Sequence, residues 1–332
     1  MIREGGEVEM KVVSWNARGL GGLEKRKEVR HLVTEKRPSI MCIQETKLMV
    51  IEGAMAESLW GGPCHGYSFR SSVGASGGLL TMWDSSEVEV WSSSTQEHVL
   101  QIHGIFLKTR EEFYLINVYA PCDGRAKKEL WDSLSVRLHI LSGRRVCVCG
   151  DFNEIRSADE RRSGRGAGGV TVTQFFNWFI VDNGLIDLPL CGRKFTWYKR
   201  DGSCMSRINR FLLSEDWCAQ WPNCFQVALL RGLSDHCPLQ LLIDDEDWGP
   251  RPTRMLKCWR DIPGYHQFVV EKWKSLKVDG WGGYVLKEKL KLVKVALKEW
   301  HSVHVHNIPG RIASLKTRLS DLDGKAEEED LT

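Results

Sequence analysis

The chain has 332 residues, 42% of them hydrophobic and 27% charged, with 46 Lys and Arg against 43 Asp and Glu. This length allows one or two domains with a sizeable core, and the composition is that of a globular protein, which excludes the disordered and fibrous classes. No apolar stretch approaches the roughly 20 residues needed to cross a bilayer, and Met1–Met10 lacks the apolar centre of a secretory signal, so the expectation is a nuclear or cytoplasmic protein with no membrane partner.

In chain order, Lys11–Trp15 is a predicted strand and Glu24–Lys36 a helix with Val29, Leu32 and Val33 on one face. Strands follow at Ser39–Ile43, Gly77–Trp83 and Val88–Trp91, then a hairpin of Val99–Leu107 and Phe113–Tyr119. Lys127–Leu141 places Leu130, Leu134, Leu138 and Leu141 at helical spacing, and Arg145–Cys149 is again a strand. Asp159–Gly169 is rich in Arg and Gly and is expected to be a mobile loop. A helix at Thr173–Asp182 and strands at Phe195–Lys199, Ile208–Leu213, Phe225–Leu230 and Leu239–Ile243 complete the region. So many strands need two sheets packed face to face, with helices outside.

Near Asp244 the pattern changes to a charged, proline-containing linker. The domain expectation is therefore residues 10–245 followed by a basic helical extension, 246–332. Residues 1–245 carry 30 basic and 30 acidic side chains, whereas 251–320 carry 15 and 5, a balance that favours a phosphate backbone as partner. Leu286, Leu290, Val293, Leu297 and Trp300, then Ile312, Leu315, Leu319 and Leu322 beyond Pro309-Gly310, predict an α-helical hairpin. Of the 11 cysteines, Cys42, Cys147 and Cys149 sit in apolar runs and no Cys-x-x-Cys pair exists, which points to a reducing compartment without structural zinc.

Short polar clusters close the hydrophobic runs. Asn16 ends the first, Glu45 the second, Tyr119 and Asp151-Phe152-Asn153 later ones, and Asp235-His236 precedes the last. Strand ends of this kind can aim their side chains into one cleft suited to a metal ion and a phosphate. Phosphodiester cleavage needs an aligned water, stabilised charge on phosphorus and a neutralised leaving oxygen. Glu45 and Asp235 are the carboxylates available for a hard divalent ion. Asp151, steadied by Asn153, can take a proton from water, and His236 and Tyr119 can hydrogen-bond phosphate oxygens.

Ser14-Trp15-Asn16-Ala17-Arg18-Gly19-Leu20, Gln44-Glu45-Thr46-Lys47, Asn117–Pro121, Gly150–Asn153 and Leu233–Leu239 resemble, in order, the motifs of the endonuclease/exonuclease/phosphatase superfamily, which includes apurinic/apyrimidinic endonucleases and deoxyribonuclease I. The resemblance covers residues 10–243. It implies a four-layered α/β sandwich and cleavage of phosphate esters with Mg²⁺ (or Mn²⁺). It also implies Glu45 as principal metal ligand, Asn16 as a partner of the metal site and of the water-positioning aspartate, Asp151 and Asn153 as the water-activating pair, Tyr119 and His236 as phosphate contacts, and Asp235 as a further carboxylate at the metal.

Phe195-Thr196-Trp197 and Ser206–Ser214 are similar to the endonuclease domain of plant LINE-type (non-LTR) retrotransposons. A DNA-nicking enzyme leaving a 3′-hydroxyl is then expected, as a truncated or domesticated element product, since no reverse transcriptase segment follows. The alternatives are a phosphatase of the same superfamily and a catalytically silent nucleic-acid binder. Arg161, Arg162 and Arg165 are candidate contacts to a DNA backbone. One departure stands out: the family pattern has Asp where this chain has Asn209. That Asp resembles the orienting partner of His236, and an amide brings no charge to the pair. A second departure is Cys122, where many relatives carry a polar residue.

Overall fold

The computed structural model describes residues 10–63, 65–74, 76–163, 174–243, 264–278, 280 and 282–304. In chain order the elements are β1 (Lys11–Asn16), α1 (Leu23–Lys36), β2 (Ile40–Gln44), α2 (Gly53–Trp60), β3 (His65–Val73), β4 (Ser76–Asp84), β5 (Val88–Gln96), β6 (Val99–Phe106), β7 (Glu111–Tyr119), α3 (Gly124–Ile140) and β8 (Val146–Asp151). They continue with β9 (Arg161–Ser163), α4 (Gln174–Asp182), β10 (Ile186–Asp187), β11 (Leu190–Cys191), β12 (Trp197–Tyr198), β13 (Cys204–Ser206), β14 (Asn209–Leu213), α5 (Glu215–Gln220), β15 (Cys224–Ala228), β16 (Leu239–Ile243), α6 (Tyr265–Ser275) and α7 (Gly282–His304).

Adjacent residues of β1 serve different layers, as the two-residue period of a strand requires. Val12 enters a core shared by both large sheets, with Ile40, Cys42, Phe113, Leu115, Cys147, Cys149, Phe211 and Leu241. Val13 and Trp15 point the other way, onto Val29, Leu32 and Val33 of α1 and Ala56 and Leu59 of α2. On the second sheet, Ile116, Val118, Val148 and Leu212 pack outward against Leu130, Trp131 and Leu134 of α3 and Phe176 and Phe179 of α4. The result is a helix–sheet–sheet–helix sandwich with three cores.

The first sheet has seven strands in the order β11-β15-β16-β1-β2-β4-β3, the second six in the order β10-β14-β8-β7-β6-β5. β1 and β2 are parallel neighbours, as are β7 and β8, so Asn16 lies beside Gln44 and Tyr119 beside Asp151. β14 runs antiparallel to β8 and sets Asn209 against Asp151. A Cβ on Gly150 (φ 141°) would lie 2.0 Å from the Val118 carbonyl oxygen, so only glycine allows β7 and β8 to approach this closely at the strand ends. A third, small sheet has the order β12-β13-β9.

Chain contacts divide the molecule into two compact units, Met1–Glu246 and Asp247–Thr332. In the second unit α7 buries Val293 and Leu297 against Tyr265, Phe268 and Val269 of α6, and Trp300 stacks on Phe268. The helix expected over Ile312–Leu322 lies outside the described residues. Part of the expected Arg-Gly loop is ordered differently: Ala158–Glu160 forms a 3₁₀ turn and Arg161–Ser163 pairs with β13. Glu160 and Asp187 cause this, since both bind Arg207 and the fully buried Arg210 and tie the segment to β14. β3 and α2 carry no clean apolar period, so the sequence pattern does not mark them: β3 is mostly half-exposed and α2 buries only Ala56 and Leu59.

Candidate active site

Strand ends from both large sheets meet in one polar cluster. Asp151, at the end of β8, is 1% exposed. Its Oδ2 accepts from Asn16 Nδ2 at 2.8 Å and its Oδ1 from the Asn153 N–H at 3.0 Å. Burial pushes the Asp151 carboxyl above its ordinary value, against the opposing influence of His236 and of the Asn16 hydrogen bond; the Glu45 charge adds to the rise. Asn153 in turn donates its side-chain amide to the Ala120 carbonyl at 2.7 Å.

His236 is held from several sides. Its carbonyl accepts from Trp15 Nε1 at 3.1 Å, and its N–H donates to Ser234 Oγ, which itself donates to the Asn16 carbonyl at 2.7 Å. Nδ1 lies 3.0 Å from Asn209 Oδ1 and 3.7 Å from Asp151 Oδ2. An amide oxygen only accepts, so Nδ1 carries hydrogen. Burial lowers the His236 pKa, outweighing the attraction of Asp151 and Asp235. The favoured form is therefore a neutral imidazole with a bare Nε2. Asn209 is placed by Thr196, whose Oγ1 accepts from the Ile208 and Asn209 N–H groups at 3.0 Å each.

Glu45 follows β2 with φ 55°, in the left-handed region that is uncommon outside glycine. The turn is over-determined by its neighbours: Gly19 N–H donates to the Glu45 carbonyl at 2.7 Å, and Thr46 and Lys47 donate to Gly78 and Gly77. Arg18, Lys47 and Asn153 share positive φ, at 54°, 57° and 48°. Backbone cost of this kind concentrates at functional sites. The Tyr119 hydroxyl hydrogen-bonds Glu45; burial, with the Glu45 and Asp151 charges, pushes its phenol well up.

Asp235 Oδ2 accepts from Arg18 Nη1 at 2.5 Å and from Trp197 Nε1 at 3.2 Å. Its Oδ1 is buried without a hydrogen-bond partner, and His236 Nε2 lies 3.8 Å from it. That separation is beyond hydrogen-bond range. Among the described residues no three His, Cys, Asp or Glu side chains are gathered into a full metal cage. Mg²⁺ does not need one: one or two carboxylates suffice, with water and phosphate completing the octahedron. Glu45, with the orphaned oxygen of Asp235, fits that requirement.

Asn16, Glu45, Tyr119, Asp151, Asn153, Asn209, Asp235 and His236 are thus brought together. Arg161 and Arg162 are exposed on β9 of the small sheet, outside this cluster, and Arg165 lies outside the described residues. Cys122 is exposed, after the Tyr119-Ala120-Pro121 turn. Sequence reasoning passed over Arg18, which touches Asp235 and Glu45; Lys47, which is 3.1 Å from Glu45 Oε1; Trp197; and Lys127, whose ammonium donates to the Asn153 carbonyl at 2.6 Å and to Glu154. Arg18 and Lys47 lie inside two of the motifs, two residues after Asn16 and Glu45, and that adjacency is the signal the sequence carries.

A family model for the endonuclease/exonuclease/phosphatase family matches residues 13–236. The chain belongs to this family. As a member of the endonuclease/exonuclease/phosphatase family it is 25% identical over 257 residues to an exodeoxyribonuclease of Bacillus subtilis (strain 168), covering 71% of this chain and all of that protein. It is 28% identical over 156 residues to recombination repair protein 1 of Drosophila melanogaster, 44% of this chain but 22% of that protein. Two solved structures share the fold. AP endonuclease LMAP from Leishmania major superposes with a TM-score of 0.57 at 18% identity, over 71% of this chain and 87% of that one. A 3′ phosphatase from Neisseria, bound to a product DNA hairpin, gives 0.56 at 18% identity, over 71% and 99%.

Proposed function

We propose that the chain is a Mg²⁺-dependent DNA endonuclease that nicks one strand by hydrolysis and leaves a 3′-hydroxyl. The single observation that carries this reading is the convergence of a buried, proton-avid Asp151 with His236 and two further carboxylates, one of which keeps an unpartnered oxygen. Glu45 and Asp235 would hold a divalent ion, which when bound would supply neutralising charge at the phosphate and leaving oxygen. Asp151 takes the proton of the attacking water; its raised proton affinity suits a base, and Asn16 and the Asn153 N–H keep its two oxygens aimed. Tyr119, protonated throughout the physiological range, donates to a phosphate oxygen. His236 donates from Nε2 when protonated, and Asn209 fixes the ring while adding no charge to favour that state.

Within this reading DNA is the substrate, Arg161, Arg162 and Arg165 meet its backbone, and the nick is of the kind that primes reverse transcription in LINE-type elements. The motif Phe195-Thr196-Trp197 and the Ser206–Ser214 stretch support that origin. The test is nicking of supercoiled plasmid with Mg²⁺, against EDTA and a Glu45→Ala control. Phosphate release without nicking would replace the nuclease by a phosphatase of the same family. A second reading, a silent nucleic-acid binder, is favoured by Asn209 alone. It predicts no turnover in either assay, with salt-sensitive DNA binding retained.

A further inference from the structure

Arg18 occupies the place where the carboxylates of the site need positive charge. Its guanidinium spans two of them: Nη1 is 2.5 Å from Asp235 Oδ2 and Nε is 3.9 Å from Glu45 Oε2. These two carboxyl groups come from opposite ends of the domain sequence, and both are over nine-tenths buried, at 9% and 8% side-chain exposure. The arginine is 44% exposed, so it has a route out to solvent. Its pose is built, because the Arg18 N–H donates to Asn16 Oδ1 at 3.0 Å and sets the positive φ that turns the side chain back over the site. The same Asn16 holds Asp151.

The charge count is close to balanced without any metal. Glu45, Asp151 and Asp235 bring three carboxylates, and Arg18 and Lys47 set two cations against them. A divalent ion added to this set would turn the site from net negative to net positive, and an ion on Asp235 Oδ1 and Glu45 would lie beside the guanidinium on Oδ2, so the two cations repel each other. Lys47 touches Glu45 alone and leaves Asp235 free, so it does not close the slot.

We infer that Arg18 is the resident counter-cation of the Glu45–Asp235 pair, with which a divalent ion must exchange, and that it thereby sets the metal affinity of the empty enzyme. The inference rests on the metal reading given above. Arg18 is a positioning residue in this role: it holds the two carboxylates together in the metal-free protein and is released when the ion binds. One opposite charge in direct contact with a carboxylate changes its affinity for a competing cation by about tenfold or more, the same scale as its effect on proton binding.

The test is Mn²⁺ binding to the full chain without DNA, followed by the electron paramagnetic resonance of free Mn²⁺, for the parent and for Arg18→Gln. Arg18→Gly serves as a second variant because glycine accepts the positive φ without strain. Both variants are expected to bind Mn²⁺ about tenfold tighter than the parent. Their melting temperatures should be lower without metal and equal to the parent's with saturating Mn²⁺. Equal Mn²⁺ affinity in parent and variants overturns this inference and leaves the metal reading intact. Loss of stability that is the same with and without Mn²⁺ also overturns it, since that marks a purely structural arginine. No Mn²⁺ binding by any of the three proteins overturns both.

Discussion

Restoring a carboxylate at position 209 should move the titration of His236. Asn209 Oδ1 is 3.0 Å from His236 Nδ1, and the two residues are 2% and 3% exposed. A full charge at that distance, with an effective dielectric near 20, attracts an imidazolium by about 5 kcal/mol before costs. The new carboxylate must itself be desolvated, and it would sit opposite Asp151, a like charge. The net expectation for Asn209→Asp is a rise of about 1–2 units in the His236 pKa. If the protonated ring donates to the phosphate, activity is present below that pKa and is lost as pH rises through it. The parent's depressed value therefore places the falling limb of its pH–rate profile on the acid side. The variant's limb should move upward, and nicking at a pH above both values should rise about 10–100-fold.

Stability carries the matching sign. Because the folded parent holds His236 neutral, it binds fewer protons than the unfolded chain, and that contribution is lost as pH falls below about 6.5. Asn209→Asp should reduce the loss. The measurements are plasmid nicking against pH and an NMR titration of isotope-labelled histidine. A His236 pKa that stays put or falls, or a pH–rate profile that does not shift, would show that the amide is not what limits the ring.

Glu45→Ala should lower nicking by at least about 10³, the scale of losing metal-assisted charge stabilisation, and EDTA should do the same to the parent; residual cleavage within tenfold of the parent would refute Glu45 as the metal's anchor. Gly150→Ala should cost at least about 3 kcal/mol or prevent soluble expression, because its Cβ would lie 2.0 Å from the Val118 oxygen; a normal urea midpoint would contradict this. Arg210→Ala should destabilise by about 3–5 kcal/mol in urea unfolding, since this fully buried guanidinium answers both Glu160 and Asp187. Arg207 also contacts both carboxylates and Arg156 Nη1 lies 3.1 Å from Asp187 Oδ2, so a loss below about 1 kcal/mol would mean that these two hold the pair unaided.

Local pattern carried much of the architecture. An apolar run closed by a polar residue marked the strand ends that meet in the polar cluster, at Asn16, Glu45, Tyr119 and Asp151, and the leucine stripe of α3 was readable from its spacing. Period and composition are properties of neighbouring residues, so they were visible without a fold. They failed where exposure is mixed, as in β3, and where a distant partner decides, as when Glu160 and its arginines turn a glycine-rich approach into β9.

The tertiary structure alone decided which strand ends face one another. Register sets Tyr119 and Asn209 on either side of Asp151, and sheet packing brings Asn16 across to the same carboxylate. It also delivered Arg18 onto Asp235, 217 residues away in the chain. Burial likewise depends on what packs around a group, which is why the proton affinities of Asp151 and His236 move in opposite directions although their residue types announce nothing of the kind. The sequence by itself determined the set of chemical groups and the strands that carry them; distance and dielectric, which turn those groups into a site, arise only when remote segments exclude water together.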